Sequence, residues 1–290
     1  MLSFLDGVPL DITSKMLPAK THFSPFVKAN IHLHAKAFNR HKDSFETDIT
    51  PHIALRTQNN IVQSMINYIS GLTLNSKTEW GDYYTITNYD KESFQFKEST
   101  VKEWIRKYNL KTIWDIGGNN GHFSRLIQDD CETIVCTDID PVAVDTNYRL
   151  TKKNCEQKII PLIIDYANPS PGIGFANEER TSFQRRITAL QVDCIIALAL
   201  IHHLSISANC TFERLAESFS RISKKLLIEF VHPEDSWAEK LLQSKRDARS
   251  LFNYYNKQNF EDIFLQFYKF LEVREVPNSK RTMYLMVRED

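Results

Sequence analysis

The chain lacks an excess of either charge: 36 lysines and arginines stand against 36 aspartates and glutamates in 290 residues. A broad nucleic-acid footprint or a polybasic membrane patch needs surplus cations, so the balance argues against both and for a small-molecule partner. A small basic groove stays open, because net charge hides local asymmetry. Cysteine is scarce and odd in number (Cys131, Cys136, Cys155, Cys194 and Cys210), with no C-x-x-C. Neither a disulfide framework nor a zinc site fits that count, and reduced thiols in a cytoplasmic protein are expected. Cys136 and Cys194 lie inside apolar runs, where cysteine behaves as a small hydrophobe. The longest such run, Cys194 to Ile201, falls far short of the ~20 residues that a bilayer-spanning helix needs. Met1-Leu2-Ser3-Phe4-Leu5-Asp6 lacks the basic and apolar regions of a signal peptide. There is no G-x-x-x-x-G-K-[ST] phosphate loop, no internal repeat and no low-complexity tract.

What the chain does have is concentrated between Thr112 and Asp140. Thr112-Ile113-Trp114-Asp115-Ile116-Gly117-Gly118-Asn119-Asn120-Gly121-His122-Phe123 reads as a buried strand, a glycine turn and the start of a helix. A second apolar run, Thr133 to Thr137, ends at Asp138-Ile139-Asp140. Glycine lets backbone pass close to a ligand where a Cβ would collide. An acidic residue ending the following strand can accept hydrogen bonds from a ribose diol. The dinucleotide fingerprint G-x-G-x-x-G is broken, because Asn119 stands where its second glycine belongs. The pattern is D-x-G-x-x-x-G, from Asp115, Gly117 and Gly121. A carboxylate at the strand end suits a cationic ammonium group better than a pyrophosphate.

At these residues the chain resembles class I S-adenosylmethionine-dependent methyltransferases. Asp115 to Gly121 is similar to their first motif, and Asp138 to the acidic residue of their second. Ile163-Ile164-Asp165 resembles the third strand, whose acidic end reaches the adenine amino group. Asp193 to Leu204 (DCIIALALIHHL) resembles the fourth motif, and Leu226 to Val231 the fifth strand. The resemblance covers about residues 99 to 290. A narrower resemblance, to NoeA-type nodulation-protein-like methyltransferases, rests on DYANPSPGIGFANEER (165–180), ALALIHHL (197–204) and IEFVHPEDS (228–236). It implies S-adenosyl-L-methionine as cofactor, held by Asp115, Gly117, Gly118, Asn119, Gly121, Asp138, Ile139, Asp165 and Tyr166. The balanced charge and the aromatic stretch of the N-terminal region motivate the expectation of an unidentified oxygen or nitrogen nucleophile on a small-molecule or saccharide-like compound as methyl acceptor.

The expected fold is α/β: a doubly wound, mostly parallel, seven-stranded Rossmann-like sheet with a terminal antiparallel hairpin and an N-terminal helical cap. Strands are expected at 112–116, 133–138, 159–164, 192–198 and 225–231, with the hairpin at 270–276 and 282–288 around Pro277-Asn278-Ser279. Helices are expected near Ser99 to Lys107, after Gly121, from Pro141, and near Ser236 to Ser244 and Phe260 to Phe267. Residues 1–98 read as a cap over the cleft and 99–290 as the core. The cap has helical spacing in Phe26 to Phe45 and Asn60 to Ile69, an Asp11-Ile12-Thr13 turn and cap, and an aromatic stretch with Tyr83, Tyr84 and Tyr89. Residues 166–190 form a longer connection than the usual ~2–6 residues and are placed to carry specificity. Leu2 to Pro9 resembles an internal stretch of longer relatives, which suggests a fragment or a natural short form.

Methyl transfer from a sulfonium asks the protein mainly for position, plus a base when the acceptor is a hydroxyl or protonated amine. His202 and His203 follow the fourth strand, and adjacent residues on a helical turn point ~100° apart, so one of them faces the cleft. His203 is favoured, between the apolar Ile201 and Leu204; structural packing of both is the competing reading. Glu229 sits in an apolar strand and must be paired or placed at a cleft. It either orients a histidine, binds a polar acceptor, or pairs with Lys224, Lys225 or Arg281. Asp140-Pro141 fits the cap and first turn of a helix better than a ribose contact. Asn168-Pro169 follows the third strand, not the fourth, so no amino-methyltransferase role is assigned to it. His32-x-His34 with His41 is not a metal site, because residues two apart do not share a helical face. Two rival functions remain: a catalytically silent cofactor-binding module, and a nicotinamide-dependent oxidoreductase, against which Asn119 argues.

Overall fold

The computed structural model describes residues 4–41, 54–74, 78 and 91–289. These fall into two compact units, one running to residue 74 together with Ile173–Ala176, the other holding the remainder.

In the first unit α1 (Leu10–Met16) starts after Pro9, with Asp11 in its first turn instead of at the cap. Pro25–Val27, a π-helical turn Lys28–Leu33 and α2 (His34–His41) follow one another, and α3 is Leu55–Ser70. His32 is buried, with Nδ1 2.8 Å from the Ser14 hydroxyl and Nε2 2.9 Å from that of Thr21. Its ring stacks on His22 at 3.7 Å. Both ring nitrogens are therefore engaged in tying this small unit together. The expected aromatic stretch with Tyr83, Tyr84 and Tyr89 lies outside the described residues, as do residues 42–45.

The second unit is built on a seven-stranded sheet in the order β3-β2-β1-β4-β5-β7-β6. Its strands are β1 (Thr112–Ile116), β2 (Thr133–Asp138), β3 (Ile159–Ile163), β4 (Cys194–Ala197), β5 (Lys225–Val231), β6 (Lys269–Glu275) and β7 (Arg281–Val287). The first five run parallel, and β7 pairs antiparallel with both β5 and β6. Central parallel strands are covered on both faces and so read as unbroken apolar runs. The period of two then divides each run between two cores. Trp114, Ile195, Leu226 and Ile228 face one, with α7 (Phe183–Ala189), α8 (Phe212–Ile222) and α11 (Lys257–Phe264). Ile113, Ile196, Leu227 and Leu285 face the other, with α4 (Lys91–Lys107) and α5 (His122–Ile127). α6 (Pro141–Lys153) links β2 to β3, while α9 (Ser236–Gln243) and α10 (Ala248–Leu251) follow β5.

Three helices of the second unit lie where the sequence reading assigns none, α7, α8 and the short α10. The first divides the long connection after β3 and is capped by the Ser182 hydroxyl, which accepts from the Arg185 N–H. The expected start of the core at residue 99 falls within α4. Among the described residues, no helix is long and apolar enough to cross a membrane.

Candidate cofactor and active site

β1 ends at Ile116 and the chain turns back on itself through left-handed conformations at Gly117 (φ +71°), Asn119 (φ +49°) and Gly121 (φ +80°). Asparagine tolerates that region better than most residues, so Asn119 fills the place of a glycine at modest cost. The N–H groups of Gly117 and Gly118 donate to the Thr137 carbonyl at 2.8 and 3.0 Å, fastening the turn to β2. Gly118 is glycine for lack of room: a Cβ there would lie 2.5 Å from Cys136 Sγ and 2.8 Å from Asp115 Oδ2. Gly121 caps α5, and a Cβ on it would meet Asn147 Oδ1 at 2.5 Å.

Three acidic residues surround this turn. Asp115 is buried and accepts the Ser124 hydroxyl at 2.6 Å. Burial, and secondarily the Asp138 charge, pushes its carboxyl up to about 6. Asp138 closes β2 and accepts from the N–H of Asn119 (2.9 Å) and of Asp140 (2.8 Å) on separate oxygens. Burial raises its carboxyl as well, against those backbone donors. Asp140 accepts from Val142 N at 2.8 Å and caps α6. Beyond β3, Asp165 accepts from Ala167 N at 2.9 Å. The Tyr166 ring packs near Trp114 and Phe219, and its hydroxyl donates to Ser218 Oγ at 2.8 Å.

A cavity of about 480 Å³ opens at the carboxyl ends of the strands, a size usual for small-ligand sites. Asp115, Gly117, Gly118, Asn119, Asp138, Ile139, Asp165, Tyr166 and His203 all line it. Apolar wall comes from Phe94, Phe123, Leu198, Leu200 and Leu241, among others. Gly121, His202 and Glu229 are not among its lining residues.

The two histidines are separated by their burial. His203 lines the cavity, and burial, then the Arg281 charge, lowers its imidazole to about 4. His202 is 2 % exposed and its Nδ1 has no hydrogen-bond partner among the described residues. Burial holds it well below the usual histidine range. Glu229 is fully buried: Lys97 Nζ lies 2.8 Å from its Oε2, the Ala199 N–H donates to the same oxygen at 2.7 Å, and Arg281 Nη1 stands 3.8 Å from Oε1. Arg281 is itself paired with Asp235 at 2.8 Å. Two buried cations thus face two buried anions.

Lys97 is the site residue that sequence reasoning misses. It lines the cavity, with its ammonium 5.5 Å from the centre of the Phe123 ring. Burial lowers it to about 8, against the Glu229 charge. A signal exists: Lys97 falls at helical spacing with Ser93, Val101 and Trp104, all buried on one face of α4. A lysine on an apolar stripe needs an anion to meet it.

No protein-family model matches the chain. In sequence it is 28% identical over 293 residues to the nodulation protein NoeA of Rhizobium meliloti (strain 1021), covering 99% of this chain and 60% of NoeA. The chain therefore spans about three fifths of that relative's length. In structure it is similar to the N-methyltransferase NodS from Bradyrhizobium japonicum WM9 in complex with S-adenosyl-l-homocysteine, with a TM-score of 0.50 and 10% identity over 72% of this chain and 97% of NodS. NodS without that ligand gives a TM-score of 0.49 and 10% identity over 69% of this chain and 99% of NodS. The protein has a Rossmann-like fold similar to that of NodS, and over nearly its whole length it resembles NoeA in sequence.

Proposed function

We propose that the protein is a class I methyltransferase that uses S-adenosyl-L-methionine and methylates an oxygen or nitrogen of a small-molecule or saccharide-like acceptor. One observation carries this reading: a single cavity joins the glycine turn, Asp115, Asp138, Asp165 and His203. The similarity to NodS and NoeA supports it.

The residues fit the cofactor chemically. Asp115 is a desolvated carboxylate with a raised pKa, which a cation beside it would relieve; the methionyl ammonium is such a cation. Asp138 would receive ribose hydroxyls, and Asp165 the adenine amino group. Ile139 and Tyr166 supply flanking apolar surface. The cofactor, when bound, supplies an electrophilic methyl group on a sulfonium leaving group. Burial disfavours the charged form of His203, which keeps its imidazole neutral and able to take the acceptor's proton, and the same burial makes it a weaker base than a histidine in water. The apolar wall keeps water from the methyl group. A cytoplasmic site of action belongs to the same proposal.

Calorimetric titration with S-adenosylmethionine and S-adenosylhomocysteine, with NADH as control, tests it. Binding of the first two, lost in Asp138→Ala, is expected, followed by methyl transfer in an acceptor screen. Binding of NADH instead, or of neither cofactor, would overturn the reading; binding without turnover on any acceptor would reduce it to a silent module.

A further inference from the structure

Glu229 lies on the face of β5 that it shares with Leu227, and the register Glu229↔Met283 puts another apolar residue beside it. A carboxylate there survives only if charge and hydrogen bonds hold it. Its Oε2 gathers donors from two separate elements, Lys97 of α4 and the backbone of Ala199 beyond β4.

Ala199 has φ +49°, in the left-handed region that alanine rarely adopts. Such a residue persists where its surroundings fix it, and the Glu229 oxygen 2.7 Å from its N–H is one such constraint. The next residue, Leu200, lies against the glycine turn: a Cβ on Gly117 would come within 3.1 Å of Leu200 Cδ1. The Leu200 carbonyl then accepts from the N–H of His203 at 2.9 Å and of Leu204 at 3.2 Å, which opens the turn that bears His203. Ala199, Leu200 and His203 all line the cavity.

We propose that Glu229 is the positioning residue of this site: it holds Ala199 left-handed, and through that residue seats Leu200 on Gly117 and His203 in the cavity wall. The inference rests on the reading of the cavity as a methyltransferase site with His203 as proton acceptor. Glu229 acts through a backbone N–H and does not itself line the cavity. The competing role is neutralisation of Lys97 and Arg281 alone, and the two roles separate because Ala199 can be altered without touching those charges.

Glu229→Ala alone would take the carboxylate away from the buried Lys97 ammonium, so the informative variant is the charge-balanced Lys97→Met/Glu229→Met, in the full chain. It removes the acceptor for Ala199 while Arg281 keeps Asp235. Its His203 titration midpoint, read by NMR on histidine-labelled protein, should rise by about one unit or more as the ring leaves its buried seat. S-adenosylhomocysteine affinity, read by calorimetry, should fall ~10-fold, the scale of one lost hydrogen bond. Adding Ala199→Gly, which makes the left-handed conformation easy, should restore both readings. Glu229→Gln, which keeps an oxygen for Ala199, should leave the midpoint in place. A midpoint unmoved in the folded double variant, or not restored by the glycine, overturns the positioning role. If wild-type protein binds no S-adenosylhomocysteine, the functional reading fails, while the His203 midpoint still decides the positioning. Should the double variant not fold, a shifted midpoint in Glu229→Gln overturns the role and an unshifted one supports it.

Discussion

Lys97 and Glu229 stand 132 positions apart in the chain and meet at 2.8 Å, with side chains 2 % and 0 % exposed. Sequence reading offers Lys224, Lys225 and Arg281 as partners for Glu229; the structure gives Lys97, with Arg281 as the more distant neighbour. Breaking a buried pair from one side leaves an uncompensated charge and costs ~3–5 kcal/mol. Lys97→Met should therefore lower stability toward the bottom of that range, because Arg281 still faces Glu229. Lys97→Met/Glu229→Gln should recover about half of the loss or more. Urea unfolding of the three proteins checks this, and a double variant no better than the single would show that the pair is not the source of the cost.

The glycine turn yields a second test. A methyl group at position 118 would have to displace Cys136 Sγ or Asp115 Oδ2. Both belong to the buried interior, so overpacking by Gly118→Ala should cost ~1–3 kcal/mol. Shrinking the sulfur neighbour should return part of it. Gly118→Ala/Cys136→Ala is expected to be more stable than the sum of the single changes predicts, by about 1 kcal/mol. Additivity within error in a double-mutant cycle would mean that the collision is relieved elsewhere.

Asp138 and Asp140 are two residues apart, yet the structure gives them different work. Asp138 accepts one N–H on each oxygen, from Asn119 and from Asp140, while Asp140 caps α6. Asp138→Asn would aim an amide NH₂ at one of those donors, opening the turn as well as weakening the ribose contact. Affinity for S-adenosylhomocysteine should fall ~30-fold or more. Asp140→Ala should cost ~1 kcal/mol of stability, as a lost cap does, with affinity held within about threefold. Calorimetry and thermal unfolding on both variants give the comparison, and the reverse ranking of affinities would exchange the two roles.

These contrasts also mark how far the sequence reaches. β1 and β2 occupy Thr112–Ile116 and Thr133–Asp138, the spans that their apolar runs and flanking turns predict, because parallel strands covered on both faces leave that imprint. Asp140 is legible as a cap from the proline after it. α8 is written just as openly, with Phe212, Leu215, Ala216, Phe219 and Ile222 at helical spacing. Lys97 stands out only as a lysine on an apolar stripe. Which anion it meets depends on where the topology packs α4 against β5, and no local pattern encodes that. The seat of His203 is still less visible, since it depends on a left-handed alanine, and alanine carries no signature for that conformation.

Acid should separate the groups of the cavity by sign. His203 binds its proton near 4 in the folded protein against ~6.5 unfolded. Between those values the unfolded chain holds more protons, so this histidine's contribution to stability, complete above 6.5, is lost as pH falls toward 4. Asp115 runs the other way: folded near 6 and unfolded near 3.8, it holds more protons when folded, so its destabilising burial is relieved as pH falls from 6 to 3.8. Each acts at up to about 1.4 kcal/mol per pH unit within its window. Differences between variants isolate them from every other titrating group. The stability advantage of wild type over His203→Gln should shrink steadily from pH 6.5 to 4.5. Measured against Asp115→Asn, wild type should instead gain between pH 6 and 4.5. Urea unfolding at pH 7, 6, 5 and 4.5 gives both curves, and parallel curves for wild type and His203→Gln would place this imidazole in water rather than in the wall of the cavity.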